Sequence, residues 1–279
     1  MISLSCCIPG GSFMPEGEGA IPMSSRERLE NGYRVITGLG YDAVEATVGL
    51  VMTLSDADVA ALVEKRRKGE FALDVCNSFI PGNLPIVTDK AGEEKLRAYV
   101  EEAMKRLSAL GVKIVVFGSG KARTIPDTVD RAAGEAMIDR FLVFCNDLCE
   151  TYGLTVVIEP LNQRETNWVY TVADGAKVVR RLGLPHVLLL ADGFHMAREA
   201  EDPAVMAKNK DILLHTHLAS SEKRGYPGME GGAYETEFLR VLTDMDYDGI
   251  VTVECGFSDF AKEAALGADF IRKTLRSFS

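Results

Sequence analysis

The feature that most constrains this chain is an alternation repeated along its whole length: short apolar runs, each followed by a longer amphipathic stretch. Eight such runs are readable as strands: Ile2–Cys7, Ala43–Ala46, Phe71–Val75, Lys113–Phe117, Thr155–Ile158, His186–Ala191, Ile212–His217 and Ile250–Glu254. Several are rich in Val, Ile and Leu, as expected of parallel strands buried on both faces. Eight βα units without an internal linker fit a closed barrel better than an open doubly wound sheet, and no G-x-G-x-x-G follows the first strand. The expected fold is therefore α/β, a (β/α)8 TIM barrel, with residues 1–279 forming a single domain. Barrels of this kind commonly run to about 250 residues as one unit.

The helices between the strands carry start and stop signals. Ser55 precedes the acidic first turn of a helix expected over Asp56–Glu64, and the basic block Lys65-Arg66-Arg67-Lys68 fits its C-terminal end, where cations are favoured. Thr171 and Asp174 open another helix that Gly183 and Pro185 close. Asp127–Tyr152 has no interior proline and reads as the longest helix, and Ser258 is the expected cap of the last one.

Composition excludes several classes. A formal charge of −10 leaves no basic surface for nucleic acid. The six cysteines form no C-x-x-C pair and read as free thiols. Residues 1–7 lack a basic n-region and a long apolar stretch, and no run of about 18 uncharged apolar residues occurs in the sequence, so the expected location is cytoplasmic, with no membrane contact.

In a barrel the chemistry sits at the C-terminal ends of the strands. Four consecutive strands end in a ligand-type residue: Glu159, Asp192, His217 and Glu254. Neighbouring strands lie about 4.8 Å apart, so four such side chains can converge on one ion. Three carboxylates and an imidazole form a hard, oxygen-rich set that suits one divalent cation, Mn²⁺, Mg²⁺ or Co²⁺, better than a thiolate-dominated structural zinc site would. His215 lies two residues before His217 and points the same way into the barrel. It is either a partner of the ligand or a packed core histidine, and His186 is expected to be structural. Beyond the strand ends, Glu165, His195 and Arg224 offer contacts for a hydroxyl-rich substrate. Met14, Phe79 and Asn83 are candidates for the mouth of the site, and Gly118-Ser119-Gly120 with Arg123 is either a phosphate cradle or a plain strand-to-helix turn.

The stretches IEPLNQRETN (158–167), ADGFHM (191–196), HTHLASSEKRGYPG (215–228) and VECGFSDF (253–260), with the segment 116–123, give the chain a resemblance to the xylose isomerase-like TIM barrels, which include ketose 3-epimerases. The resemblance covers nearly the whole chain. It implies that Glu159, Asp192, His217 and Glu254 hold the metal and that Glu159 and Glu254 also act as the acid/base pair. It further implies that Glu165, His195 and Arg224 contact substrate hydroxyls, although the interval from His217 to Arg224 is one residue longer than in the ketose 3-epimerases. The implied activity is a metal-dependent sugar isomerase or epimerase working by proton abstraction next to a carbonyl through an enediolate. The same group resembles the catalytic subunits of C-glycoside deglycosidases, which act on 3-oxo-glycosides with a small partner subunit. The expected partner is a sugar or glycoside, with a homo-oligomer or small hetero-subunit as further possibilities. Four histidines are too few for the multi-metal nucleases related to this group, and a non-catalytic binding barrel is the remaining alternative.

Overall fold

A computed structural model describes residues 2–9 and 23–278. Its eight parallel strands are β1 (Ser3–Cys7), β2 (Ala43–Thr47), β3 (Val75–Asn77), β4 (Ile114–Phe117), β5 (Thr155–Ile158), β6 (Val187–Asp192), β7 (Leu213–Leu218) and β8 (Ile250–Val253). They pair in chain order, and Ser3–Cys6 of β1 pair with Ile250–Val253 of β8 to close the barrel. The (β/α)8 expectation is thus met.

Inward and outward residues alternate, and each set builds its own core. Outward side chains pack under the helices, as Val44 and Ala46 do in β2. Inside the barrel, Val75, Ile114, Val116, Val157 and Leu190 form a separate apolar plug. Above that plug the lumen becomes polar, with Glu45, His215 and His217 fully buried.

One strand is displaced from its expected position. Phe71 and Leu73 are buried but unpaired, and β3 begins only at Val75 and runs to Asn77. Phe71 is held by packing, its ring 5.5 Å from that of Tyr33, so an apolar run here marks a buried approach to the barrel and not a ladder. The remaining strand ends differ from expectation by at most one residue, within the usual uncertainty of a boundary.

The helical signals behave as short-range chemistry requires. Helix α1 (Ser25–Gly38) begins with a capping box between Ser24 and Glu27. After the short α2 (Val48–Met52), α3 (Asp56–Arg67) begins with a second box between Ser55 and Asp58, and it includes Lys65, Arg66 and Arg67 in its last turn. Helix α4 (Lys90–Leu110) is followed by α5 (Arg131–Tyr152), which starts later than the expected Asp127 because Asp130 accepts from the Ala133 N–H and caps it. Thr171 caps α6 (Val172–Leu182), and Gly183 ends it at φ +59°. Helices α7 (Gly193–Arg198), α8 (Ala233–Asp244) and α9 (Phe260–Arg276) complete the outer layer. The cap of α9 is Asp259, not Ser258, whose N–H instead donates to Glu263. All six cysteines are buried and free. No described helix is long and apolar enough to cross a membrane.

Candidate metal centre and sugar-binding cleft

Ladder pairing brings the ends of β5 to β8 side by side. Asp192 is the last residue of β6, His217 the penultimate residue of β7, and Glu159 and Glu254 directly follow β5 and β8. The ligand atoms of these four side chains lie within 4.8 Å of one another, and all four residues are buried. Both glutamates approach His217, whose Nδ1 lies 3.2 Å from Glu159 Oε1 and 3.5 Å from Glu254 Oε2.

The electrostatics of the cluster are those of a cation site. Burial raises the pKa of Glu159 and Asp192, and the charge of Glu254 raises both further. Burial opposes the charged form of His217, but the carboxylates of Glu45, Glu254 and Glu159 outweigh it and hold its pKa well above the usual imidazole value. Burial likewise works against ionisation of Glu254, yet His217 and Arg224 keep it below the usual carboxylate range. Asp192 Oδ2 is buried without a hydrogen-bond partner, and so is His195 Nε2, 3.6 Å away. Three converging carboxylates, one of them with an orphaned oxygen, beside an imidazole are a donor set that fits a hard divalent cation.

The second ring nitrogen of His217 leads to a residue that strand-end reasoning missed. Its Nε2 lies 3.0 Å from Glu45 Oε1, while the other Glu45 oxygen lies 3.0 Å from His215 Nε2. Burial alone would raise the pKa of Glu45, but His217 and His215 outweigh it and lower it to about 2. His215 is therefore tied to His217 through Glu45: it faces that carboxylate and is absent from the four-residue cluster. Asn77 at the end of β3 was also missed; its Nδ2 donates to Glu254 Oε1 at 3.1 Å. His186 stands at the opposite end of the barrel, before β6, with its backbone N–H on Asn146 Oδ1.

Residues 34–274 match the family model described as xylose isomerase-like TIM barrel. The chain belongs to that family. A probable ketose 3-epimerase of Synechocystis is 29% identical over 239 residues, covering 82% of this chain and 78% of the relative. A 3-dehydro-D-guloside 4-epimerase of Escherichia coli is 25% identical over 237 residues, covering 82% and 87%. Among solved structures, a D-allulose 3-epimerase of Methylomonas in complex with D-allulose superposes with a TM-score of 0.81 at 19% identity, covering 98% and 97%, which supports the shared fold.

Like other barrels, this family member opens its site at the C-terminal rim. Glu159 and Glu254 share a cleft of about 440 Å³ with Glu165, Arg224, Ser78 and Lys121. Arg224 reaches the cleft despite its longer interval: its guanidinium bonds Glu254 Oε2 at 2.9 Å and approaches Glu165 Oε1 at 3.3 Å. Three cleft residues, Ser78, Ser119 and Arg224, hold positive φ of 52°, 40° and 56°, a conformation that non-glycine residues adopt at a cost. His195 is buried beneath the cleft, where burial lowers its pKa, so it is neutral near pH 7. Asn162 ties this group together, donating from Nδ2 to Glu165 at 3.1 Å and standing 2.8 Å from His195 Nδ1.

Several expectations for the mouth are corrected. Phe79 is fully buried against Phe141 and does not border the cleft. Asn83 is exposed, while its neighbours Ser78, Ile80, Pro81 and Gly82 border the cleft. Met14 lies outside the described residues. Arg123 cannot receive a phosphate: it is fully buried, donating to the carbonyls of Phe117 and Glu159 at 2.8 and 2.7 Å, with its guanidinium 5.2 Å from the Trp168 ring. Gly118-Ser119-Gly120 is a turn whose glycines make room. A Cβ on Gly118 would stand 2.1 Å from Glu159 Oε2, and one on Gly120 would stand 2.4 Å from the Glu165 carbonyl.

Proposed function

We propose that this chain is a divalent-metal-dependent sugar epimerase or isomerase that removes and returns a proton on the carbon next to a carbonyl. The observation that carries this reading is the placement of two buried glutamates, Glu159 and Glu254, both beside His217 Nδ1 and on the wall of one cleft. A cation held by Glu159, Asp192, His217 and Glu254, with Mn²⁺ favoured, would supply Lewis acidity to the carbonyl and to the enediolate.

The chain's own groups do the remaining work. One glutamate takes the proton, and the other delivers one to the opposite face, which inverts the carbon. Arg224 neutralises Glu254 and, together with Glu165, offers a donor and an acceptor to hydroxyls. His195, neutral and buried, presents its Nε2 toward the reacting end. The relatives' names fit one chemistry: a ketose inverted at C3 and a 3-dehydro sugar inverted at C4 both react beside their carbonyl.

The test is a screen of metal-loaded enzyme in D₂O over free ketoses and 3-oxo-glycosides. The expected outcome is one deuterium on the carbon adjacent to the carbonyl, lost by a factor of about 10²–10⁴ in Glu254→Gln and in Glu159→Gln. Full exchange by Glu254→Gln on every substrate sinks the mechanism. Release of an aglycone only after a small β-rich subunit is added assigns the deglycosidase alternative instead.

A further inference from the structure

The proposed mechanism leaves Glu45 unused, although it is the most completely enclosed carboxylate near the site. It sits at 0% exposure in the middle of β2, across the lumen from the strands that supply the four proposed ligands. Each of its oxygens faces one imidazole nitrogen at 3.0 Å, Oε1 toward His217 Nε2 and Oε2 toward His215 Nε2. A carboxylate buried this deeply is stable only if both oxygens are paired, and two N–H donors provide that pairing.

The geometry points to Glu45 as a positioning residue that holds His217 with Nε2–H on the carboxylate and Nδ1 turned to the metal cluster. An ionised carboxylate only accepts, so the nitrogen facing it carries a proton, and the nitrogen left to coordinate is Nδ1. That same Nδ1 is the atom lying beside Glu159 and Glu254. Carboxylate–histidine–metal arrangements fix ring orientation and raise ligand basicity in just this way. His215 completes the device from the other side. Its ring stands at 85° to that of His217, with centroids 5.0 Å apart, so the two donors approach Glu45 from different directions and leave its plane one orientation. Thr252 Oγ1, at 3.3 Å from His215 Nε2, adds a weaker contact that holds this second ring.

A substitution that keeps the shape of Glu45 separates this role from packing. In Glu45→Gln one side-chain atom becomes an NH₂ donor, which cannot face an Nε2–H. One of the two histidines must then reverse its tautomer or turn away.

The inference rests on the proposed metal reading, and one titration distinguishes the two. Metal-free wild type and Glu45→Gln are titrated calorimetrically with Mn²⁺. The expected result is one ion per wild-type chain and an affinity lower by about 10–100-fold in the variant, with matching far-UV circular dichroism. One ion bound equally well by both proteins overturns the role of Glu45 alone. No ion bound by the wild type overturns the metal reading with it. Two ions per wild-type chain overturn the role as well, because Glu45, His215 and His217 would then be ligands of the second. Should Glu45→Gln not fold, nitrogen-15 spectra of histidine-labelled, Mg²⁺-loaded wild type decide the matter. A proton on His217 Nε2 is expected, and a proton on Nδ1 overturns the proposal.

Discussion

The backbone N–H of Asn162 points at Nδ1 of His195 from 3.2 Å. A backbone N–H can only donate, so Nδ1 must be the acceptor and the proton of the neutral ring sits on Nε2. Nε2 in turn faces Asp192 Oδ2 at 3.6 Å, on the side of the metal cluster. The loop after β5 thereby fixes the tautomer of a histidine on α7, with its Nε2–H on the side of the cluster. His195→Phe keeps the bulk but removes both nitrogens, leaving the Asn162 N–H unpartnered. The expected loss in kcat/KM is about 10–100-fold, the cost of one or two hydrogen bonds in a dry site. His195→Gln, which keeps an N–H₂ group near the position of Nε2, recovers part of it. Steady-state kinetics on whichever substrate the exchange screen identifies measures both; equal loss in the two variants argues against a donor role.

Metal removal should carry a definite pH signature. Glu159, Asp192 and His217 all bind protons more tightly in the metal-free folded chain than in the unfolded one. Stability from these groups is fully present below their unfolded pKa values and is lost as pH rises through the folded ones. Glu254 and Glu45 have the opposite sign, and their contribution fades only in strong acid, below the ordinary carboxylate range. Between pH 5.5 and 8 these three groups therefore stabilise the metal-free chain less as pH rises, His195 and His215, whose pKa values burial lowers, act in the opposite sense, and metal affinity increases because fewer protons must leave. The gain in Tm on adding excess Mn²⁺ to chelator-treated protein is expected to be larger at pH 8 than at pH 5.5. A pH-independent gain would show that the cluster does not exchange protons for metal.

How much of this was legible in the sequence depended on which rule applied to each residue. Glu159, Asp192, His217 and Glu254 were readable because each closes an apolar run, and barrel closure aligns the ends of neighbouring strands. Glu45 was not, since a lone carboxylate within Ala43-Val44-Glu45-Ala46-Thr47 reads as a solvent-facing residue of a half-buried strand. A usable signal was present: Val44 and Ala46 share one parity and pack outward under the helices, so Glu45 has to point into the lumen of a closed barrel. Arg123 misled for a related reason. Its place after a glycine-rich turn suggests an anion, but only the tertiary packing of Phe117 and Trp168 reveals that the guanidinium is enclosed. Phe71 and Leu73 defeated the strand reading because burial and ladder pairing leave the same apolar trace in sequence.

Gly118 tests the link between backbone room and acid–base geometry. A methyl group there would meet Glu159 Oε2 at 2.1 Å, and the carboxylate, as the end of a side chain, is what must move. Gly118→Ala should displace Glu159 by about an ångström, which costs on the order of 10²-fold in kcat when a catalytic group is misplaced. The remaining Cβ neighbour within reach, a Leu161 methyl at 3.7 Å, is in ordinary contact, so the Tm should change little. Unchanged deuterium exchange in a folded Gly118→Ala protein would mean that Glu159 is not the group whose position limits the reaction.

Arg123 gives the contrasting case, a cation whose loss should harm the fold more than any ligand interaction. Its two N–H groups close the carbonyls of Phe117 at the end of β4 and Glu159 after β5, joining the strand ends beneath the cleft. Burial pushes its pKa down to about 9, so near pH 7 it remains charged and both bonds are charge-assisted. Arg123→Met fills the space but leaves the buried Glu159 carbonyl unpartnered, at about 1–3 kcal/mol, while the Phe117 carbonyl keeps the Glu159 N–H as its one remaining donor. For a chain of this size that corresponds to a fall in Tm on the order of 5 °C. Inorganic phosphate at millimolar concentration should not shift the Tm of the wild type through this residue, because the guanidinium is sealed from solvent. A phosphate-dependent rise in wild-type Tm that disappears in Arg123→Met would reverse that conclusion and restore the turn at Gly118-Ser119-Gly120 as an anion site.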